Sequence, residues 1–192
     1  MARPKEFDRD TALQGAVGVF CDHGYEGTST EALLRAMGIS RQSMYDTFGD
    51  KRQLYLEALQ RYIADSVSDQ IRALNTASSP LKGLEAALHA LASKAVAETA
   101  PGCLGIGAIC EFGRSDKEVA TLSDTASRTL LSALERRIVE GKAAGEIGAD
   151  VDTRAAAQFV TATLTGIKVA ARGGASHATL RNIARMAIRS LK

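Results

Sequence analysis

Apolar positions recur along this chain at helical intervals, and nowhere do they hold the period of two that marks a half-buried strand. Leu13, Ala16, Val17 and Phe20 stand at i, i+3, i+4 and i+7 between Asp8 and His23, the stripe of an amphipathic helix that His23-Gly24-Tyr25 closes. A second stripe, Ala32, Leu33, Ala36 and Met37, follows a start at Thr28 or Ser29, whose side-chain oxygen can cap the open N–H groups, with Glu31 in the opening turn. Gly38 supplies the left-handed residue that ends this helix, and after Ile39 a cap at Ser40 begins a third helix from Arg41 to Phe48. Ile39, Met44 and Phe48 face inward, while Arg41, Gln42, Ser43, Tyr45, Asp46 and Thr47 point outward. The stretch 28–48 is therefore a short polar helix, donors crowded at its positive N-terminal end, presented by an apolar partner helix. That geometry places side chains in a major groove.

Asp50 can cap a fourth helix, whose apolar positions Leu54, Tyr55, Leu59, Tyr62, Ile63, Val67, Ile71 and Leu74 persist for about seven turns before Asn75 to Pro80 end it. Leu81 to Thr99 is helical and Pro101-Gly102 breaks it. The next stretch, CLGIGAICEFG, is apolar but holds Gly105, Gly107 and Gly113, so a helix there is intrinsically weak, each interior glycine costing about 1 kcal/mol against alanine. Ser115 or Asp116 opens a long helix through Val119, Leu122, Ala126, Leu130, Ala133, Leu134 and Ile138. Asp152 or Thr153 opens another with Ala156, Phe159, Val160, Thr163, Leu164, Ile167 and Ala171. Ser176 opens the last, with Leu180, Ile183, Ala184, Ala187, Ile188 and Leu191. The pattern predicts an all-α fold of nine helices and no strand in two domains: residues 1–52, containing the helix-turn-helix at 28–48, and residues 53–192, a helical bundle. The last two helices carry small residues on their apolar faces, which suits either antiparallel pairing with a twin subunit or completion of a monomer core.

Composition adds bounds. A chain of 192 residues with 45% hydrophobic residues can bury a substantial core. The start, MARPKEFDRD, has no apolar leader core, and no later run approaches the ~18 apolar residues that span a bilayer, so a cytoplasmic chain without a membrane partner is expected. Three scattered cysteines make no disulfide framework and fit a reducing compartment. Charge changes the picture more. The whole chain carries +2, but residues 1–52 hold seven lysines and arginines against eight aspartates and glutamates, a net −1. The broad basic patch of a nucleic-acid binder is missing. The case for DNA rests instead on where cations sit: Arg3 and Lys5 in an N-terminal arm, Arg41 opening the third helix, Lys51 and Arg52 opening the fourth.

Catalytic and metal chemistry find little support. Gly105-Ile106-Gly107 lacks the third glycine and the preceding strand of a dinucleotide loop. Cys103 and Cys110 would lie about 10.5 Å apart along a continuous helix, beyond the roughly 7 Å limit for a disulfide and too far for two sulfurs on one zinc. They read as small apolar core residues, or as a thiol or soft-metal sensor if the glycines bend the segment. His23, His89 and His177 have no ligand spacing, and there is no nucleophile elbow or phosphate-binding loop. No catalytic residue, metal or cofactor is expected, and the chain does not read as an enzyme.

The residues MGISRQSMYDTFGDKRQLYLEAL, preceded by Gly24-Tyr25 and a threonine-rich helix start, resemble the TetR family of transcriptional repressors, specifically over about Phe7 to Tyr62. The fit is looser across Ala32 to Met37, and the C-terminal two thirds resemble the family in architecture alone. The resemblance implies phosphate contacts at Thr28, Thr30, Tyr45 and Lys51, and contacts to bases or backbone at Arg41, Gln42, Ser43 and Thr47. The chemistry agrees, since arginine can fork onto guanine and glutamine onto adenine. Asp46 stands where many members have a basic or histidine side chain, and either accepts from a cytosine or faces solvent. Plain structural roles are the alternatives: a core aromatic at Tyr45, a solvated lysine at Lys51, capping and packing at Thr28 and Thr30. The resemblance further implies a homodimer through the last two helices, a palindromic double-stranded operator, and an unidentified small-molecule effector in the C-terminal bundle. Tyr62, Cys103, Cys110, Phe112 and Phe159 are candidate walls of its pocket, with plain packing as the alternative. Two other readings stand beside this one: a thiol- or metal-responsive repressor using Cys103 and Cys110, and a helical enzyme or scaffold that binds no DNA.

Overall fold

The structure, a computed structural model, describes residues 7–97 and 102–192, with side chains throughout except at 94–97. Among the described residues there are nine helices and no strand: α1 Arg9–His23, α2 Thr30–Met37, α3 Arg41–Phe48, α4 Lys51–Thr76, α5 Pro80–Ala97, α6 Leu104–Phe112, α7 Lys117–Ala143, α8 Thr153–Arg172 and α9 His177–Arg189. The all-α, nine-helix architecture expected from periodicity is the one observed. The arm with Arg3 and Lys5, and the break at Pro101, lie outside the described residues. Among those described, no helix is long and apolar enough to cross a membrane.

Side-chain caps decide where the helices begin. Asp8 accepts from the Thr11 amide at 2.7 Å, and Asp152 from that of Ala155 at 2.7 Å. Hydrogen bonds from Thr11 hold the Asp8 carboxyl below its ordinary range. At α4 the cap is reciprocal: the Gln53 amide donates to Asp50 Oδ1 at 2.8 Å while the Asp50 amide donates to Gln53 Oε1 at 3.0 Å, which satisfies two otherwise open donors.

The chain divides into two compact units, Met1–Ala64 with Gly102–Ser123, and Asp65–Pro101 with Asp124–Lys192. The boundary expected between residues 52 and 53 thus falls inside the first unit. The reason is packing: Leu54, Tyr55, Ala58 and Leu59 of α4 are buried in the same core as α1, α2 and α3, and Leu104 and Ala108 of α6 and Val119 of α7 join them. Leu13, Ala16, Val17 and Phe20, the stripe read from α1, are all 5% exposed or less. At Gly15 the backbones of α1 and α2 approach so closely that a Cβ would lie 2.4 Å from the Ala36 carbonyl oxygen.

α6 forms despite its glycines. Alanine-sized side chains at Gly105 and Gly107 would meet open space, so neither glycine is demanded by packing and both weaken the helix. Burying Leu104 contributes about 1.5–3 kcal/mol, enough to offset two interior glycines. Beyond packing, α6 and the start of α7 are tied to the rest of the first unit by polar bonds. Glu111 Oε2 accepts from the Tyr25 amide at 2.8 Å. Arg52 Nη2 donates to Asp116 Oδ2 at 2.5 Å and reaches Glu118 at 3.3 Å. Asp116 also caps α7 by accepting from the amides of Val119 at 3.0 Å and Glu118 at 3.1 Å.

These bonds, the Val119 amide first and the Arg52 guanidinium after it, hold the Asp116 carboxyl below the usual range against the opposing effect of burial. A carboxyl with a lowered folded pKa stabilises the fold above its unfolded value, here 3.8, and loses that contribution as pH falls through the folded value. Urea titrations across acid pH are therefore expected to show the wild type losing stability more steeply than Asp116→Asn, with the two slopes equal near neutrality. Parallel curves down to pH 2 would refute this.

The second unit has its own core from α5, most of α7, α8 and α9. Leu84, Leu88, Leu134, Ile138, Val160, Leu164, Ile167, Leu180, Ala184, Ala187 and Leu191 are buried there. Of the stripe read from α8, Ala156, Val160, Leu164, Ile167 and Ala171 face this core. Phe159 does not: it is 46% exposed, and Val169 at 53% and Met186 of α9 at 59% are exposed too.

Candidate nucleic-acid interface

The unit from Ser29 to Gly49 is fixed at every corner. Ser29 accepts from the Ala32 amide at 3.1 Å and so starts α2. Gly38 ends it in the left-handed conformation, φ 66° and ψ 30°, donating its amide to Leu34 at 3.0 Å. Ser40 accepts from the Ser43 amide at 3.1 Å to start α3. Gly49, at φ 78°, closes α3 by donating to the Tyr45 carbonyl at 3.0 Å. Leu33, Met37, Met44 and Phe48 are buried between the helices, so α3 cannot roll, and the opposite side of α3 is held outward.

On that outward side Arg41, Gln42, Tyr45 and Asp46 are exposed, and Ser43 and Thr47 are half-buried at its edges. Tyr45, 45% exposed, is not a core aromatic. Thr30 is half-buried at the first position of α2 and Lys51 half-buried at the first position of α4. Thr28 departs from the expectation. It is 2% exposed, and its hydroxyl donates to the Gly24 carbonyl at 2.5 Å, closing the turn after α1. With its one proton committed to Gly24 and almost no accessible surface, Thr28 serves here as a turn residue, a departure from the phosphate contact implied by resemblance.

Several outward donors are already engaged. Arg41 Nη2 bonds Glu31 Oε1 across the turn at 2.5 Å, both side chains remaining more than half exposed. Gln42 Nε2 donates to Asp46 Oδ1 at 2.8 Å one turn along α3. The Lys51 ammonium stands 4.5 Å from the centre of the Tyr25 ring, and Arg9 stands 4.8 Å from that of Phe48 while paired with Glu57 at 2.7 Å. Exposed pairs of this kind are worth only about 0–1 kcal/mol, so each holds a side chain in place without preventing exchange onto a phosphate or a base edge. Asp46 therefore neither merely faces solvent nor stands free, since it bonds its helical neighbour. In the sequence Glu31 and Asp116 read only as residues of helix starts, and Glu111 goes unread. The Arg41–Glu31 and Tyr25–Glu111 bonds join residues with no periodic relation, whereas the Gln42–Asp46 spacing of four was legible.

Of the candidate effector wall, Tyr62, Cys103, Cys110 and Phe112 belong to the first unit and Phe159 to the second. Phe112 packs in an aromatic cluster, its ring centre 5.7 Å from that of Tyr25 and 5.6 Å from that of Tyr55. Tyr62 is a half-buried contact of the same core. Cys103 is half-buried at the cap position of α6, and Cys110 is exposed, which corrects its expected place in a core. Phe159 belongs to the second unit and faces outward. A groove of about 560 Å³ in the first unit is lined by Gln53, Leu56, Glu57, Gln60, Lys117, Glu118, Thr121 and Leu122, and by none of the five.

Comparison with known proteins adds to this geometry. The family description "Bacterial regulatory proteins, tetR family" matches residues 12–58, and "Tetracyclin repressor-like, C-terminal domain" matches residues 80–187. The chain is 34% identical over 165 residues to the uncharacterized HTH-type transcriptional regulator YezE of Bacillus subtilis, covering 83% of this chain and 84% of that one. It is 31% identical over 194 residues to the HTH-type transcriptional repressor ComR of Escherichia coli, covering 97% and 90% respectively. Among solved structures, a cysteine mutant of the TetR family transcriptional regulator CifR, complexed with 26-bp double-strand operator DNA, matches with a TM-score of 0.87 at 30% identity over 100% of both chains.

Proposed function

The chain belongs to the TetR family of bacterial regulatory proteins, and from that premise we propose that it is a sequence-specific DNA-binding repressor that leaves a palindromic operator when a small molecule binds. The observation that carries this reading is the outward side of α3, where Arg41, Gln42, Tyr45 and Asp46 project from a helix locked by Leu33, Met37, Met44 and Phe48. Such a helix enters a major groove with its side chains at base edges. Tyr45, Thr30 and Lys51 serve phosphates; Arg41, Gln42, Ser43 and Thr47 serve bases or the backbone beside them.

The working form is a homodimer acting in the cytoplasm. On α8 the exposed positions Phe159, Ala162, Gly166 and Val169 follow one another at spacings of three and four, with Met186 of α9 also exposed. Small residues between larger apolar ones let two helices pack closely, and the same patch on a second copy is complementary by two-fold symmetry. Two recognition helices then fall in successive major grooves about 34–36 Å apart. Gel shifts with DNA flanking its own gene test the whole reading; failure to shift any duplex at low salt would sink it.

Lys51→Ala supplies a finer test. Because the Tyr25 ring holds the Lys51 ammonium at the start of α4, its loss is expected to weaken binding to every duplex alike. The slope of log affinity against log salt should fall by about one per protomer. A change confined to one operator sequence would show that Lys51 does not serve the phosphates.

A further inference from the structure

Asp46 stands where neither helix stability nor general DNA affinity favours it. It lies in the last turn of α3, at the negative end of the helix dipole, on the side of the helix that would approach phosphates. Its described bond is the one it accepts from Gln42 Nε2 at 2.8 Å. A carboxylate only accepts hydrogen bonds, so this contact settles which way the Gln42 amide is turned: nitrogen toward Asp46, oxygen away. The amide nitrogen keeps a second hydrogen. That hydrogen and Oε1 are the donor–acceptor pair that matches adenine N7 and the N6 amino group in the major groove. Turned the other way, Oε1 would face the carboxylate and the match would be lost.

We infer that Asp46 is a specificity-determining positioning residue, which fixes the Gln42 amide in the orientation that reads adenine. The inference rests on α3 being the DNA-reading helix. The Asp46 charge has a second effect in the same direction, because a negative group facing phosphates lowers affinity for all DNA and leaves the base contact a larger share of binding. Asp46 is one of the eight carboxylates that leave residues 1–52 with a net charge of −1.

The test is selection from a randomised double-stranded library by the full chain, followed by sequencing, alongside affinity for one arbitrary non-operator duplex. Wild type is expected to enrich A·T at a position of each half-site where Gln42→Ala does not. Asp46→Ala should lose about tenfold of that preference while binding the arbitrary duplex several-fold more tightly. Asp46→Asn, whose amide oxygen still accepts from Gln42, should keep the preference and share the tighter background. Undiminished preference in Asp46→Ala overturns the inference, as does a loss in Asp46→Asn equal to that in Asp46→Ala. No enrichment by wild type would instead bring down the assignment of α3 as the DNA reader, and the inference with it.

Discussion

Tyr55→Ala is expected to destabilise the protein by about 3–5 kcal/mol, as removal of a fully buried aromatic side chain does, whereas Tyr55→Phe is expected to be neutral or stabilising. Tyr55 has no exposed surface and sits at the middle of an aromatic cluster. Its ring centre is 5.1 Å from that of Phe20, 5.0 Å from Tyr25 and 5.6 Å from Phe112, the first two in edge-on arrangements that favour ring pairs. Truncation to alanine would remove all three contacts and leave a cavity between α1, α4 and α6. The hydroxyl is another matter. It is buried without a hydrogen-bond partner, and burial, with Glu111 nearby, pushes its pKa well above the ordinary 10.0. A buried donor left unpaired costs about 1–3 kcal/mol, so Phe at this position removes a penalty and keeps the packing. Urea denaturation followed by circular dichroism measures both. A loss of more than about 1 kcal/mol in Tyr55→Phe would show that the hydroxyl has a stabilising partner.

Gly15→Ala is expected to damage the helix-turn-helix although alanine is the better helix former. In an open position the exchange gains about 1 kcal/mol. At Gly15 the new Cβ would stand 2.4 Å from the Ala36 carbonyl oxygen and 3.2 Å from the Met37 amide nitrogen, both backbone atoms of α2 that no rotamer change can move aside. The two helices must separate, and overpacking of this kind costs about 1–3 kcal/mol, here with α3 displaced as well because α2 carries it. Gly18, one turn along the same helix, has nothing within 4 Å of its Cβ position. Gly18→Ala is therefore expected to raise the melting temperature by a few degrees, while Gly15→Ala lowers it and abolishes operator binding. Equal effects from the two substitutions would refute the close approach of α1 and α2.

What could be read from the sequence was what local periodicity and capping determine. The stripe Leu13, Ala16, Val17, Phe20 and the glycine turn at Gly38 are contained in short windows, and the structure places them as expected. Family resemblance named the reading unit correctly as a TetR-type helix-turn-helix. The misplacements are all of one kind. Of the two caps read for α2, Thr28 or Ser29, Ser29 is the one that makes it, while the Thr28 hydroxyl turns back to Gly24 and away from the phosphate role that resemblance implied. Phe159 fits the α8 stripe by count, but 3.6-residue geometry carries it just past the buried arc. Tyr25 and Glu111, 86 residues apart, meet through a bond that no window could contain. Each turns on tertiary packing that choosing between two adjacent residues, or two adjacent faces, requires.

That α6 completes the first unit bears on how the protein is made. A ribosome releases α1 to α3 and the first turns of α4 first, with Phe20, Tyr25 and Tyr55 lacking the cover that Phe112, Leu104 and Ala108 provide. At ~5–20 residues per second, residues 65–123 take about 3–12 s to follow. For that interval the part of the chain that reads DNA is the oldest and the least finished. The core around the helix-turn-helix is thus closed only when the chain has reached α6 and the start of α7.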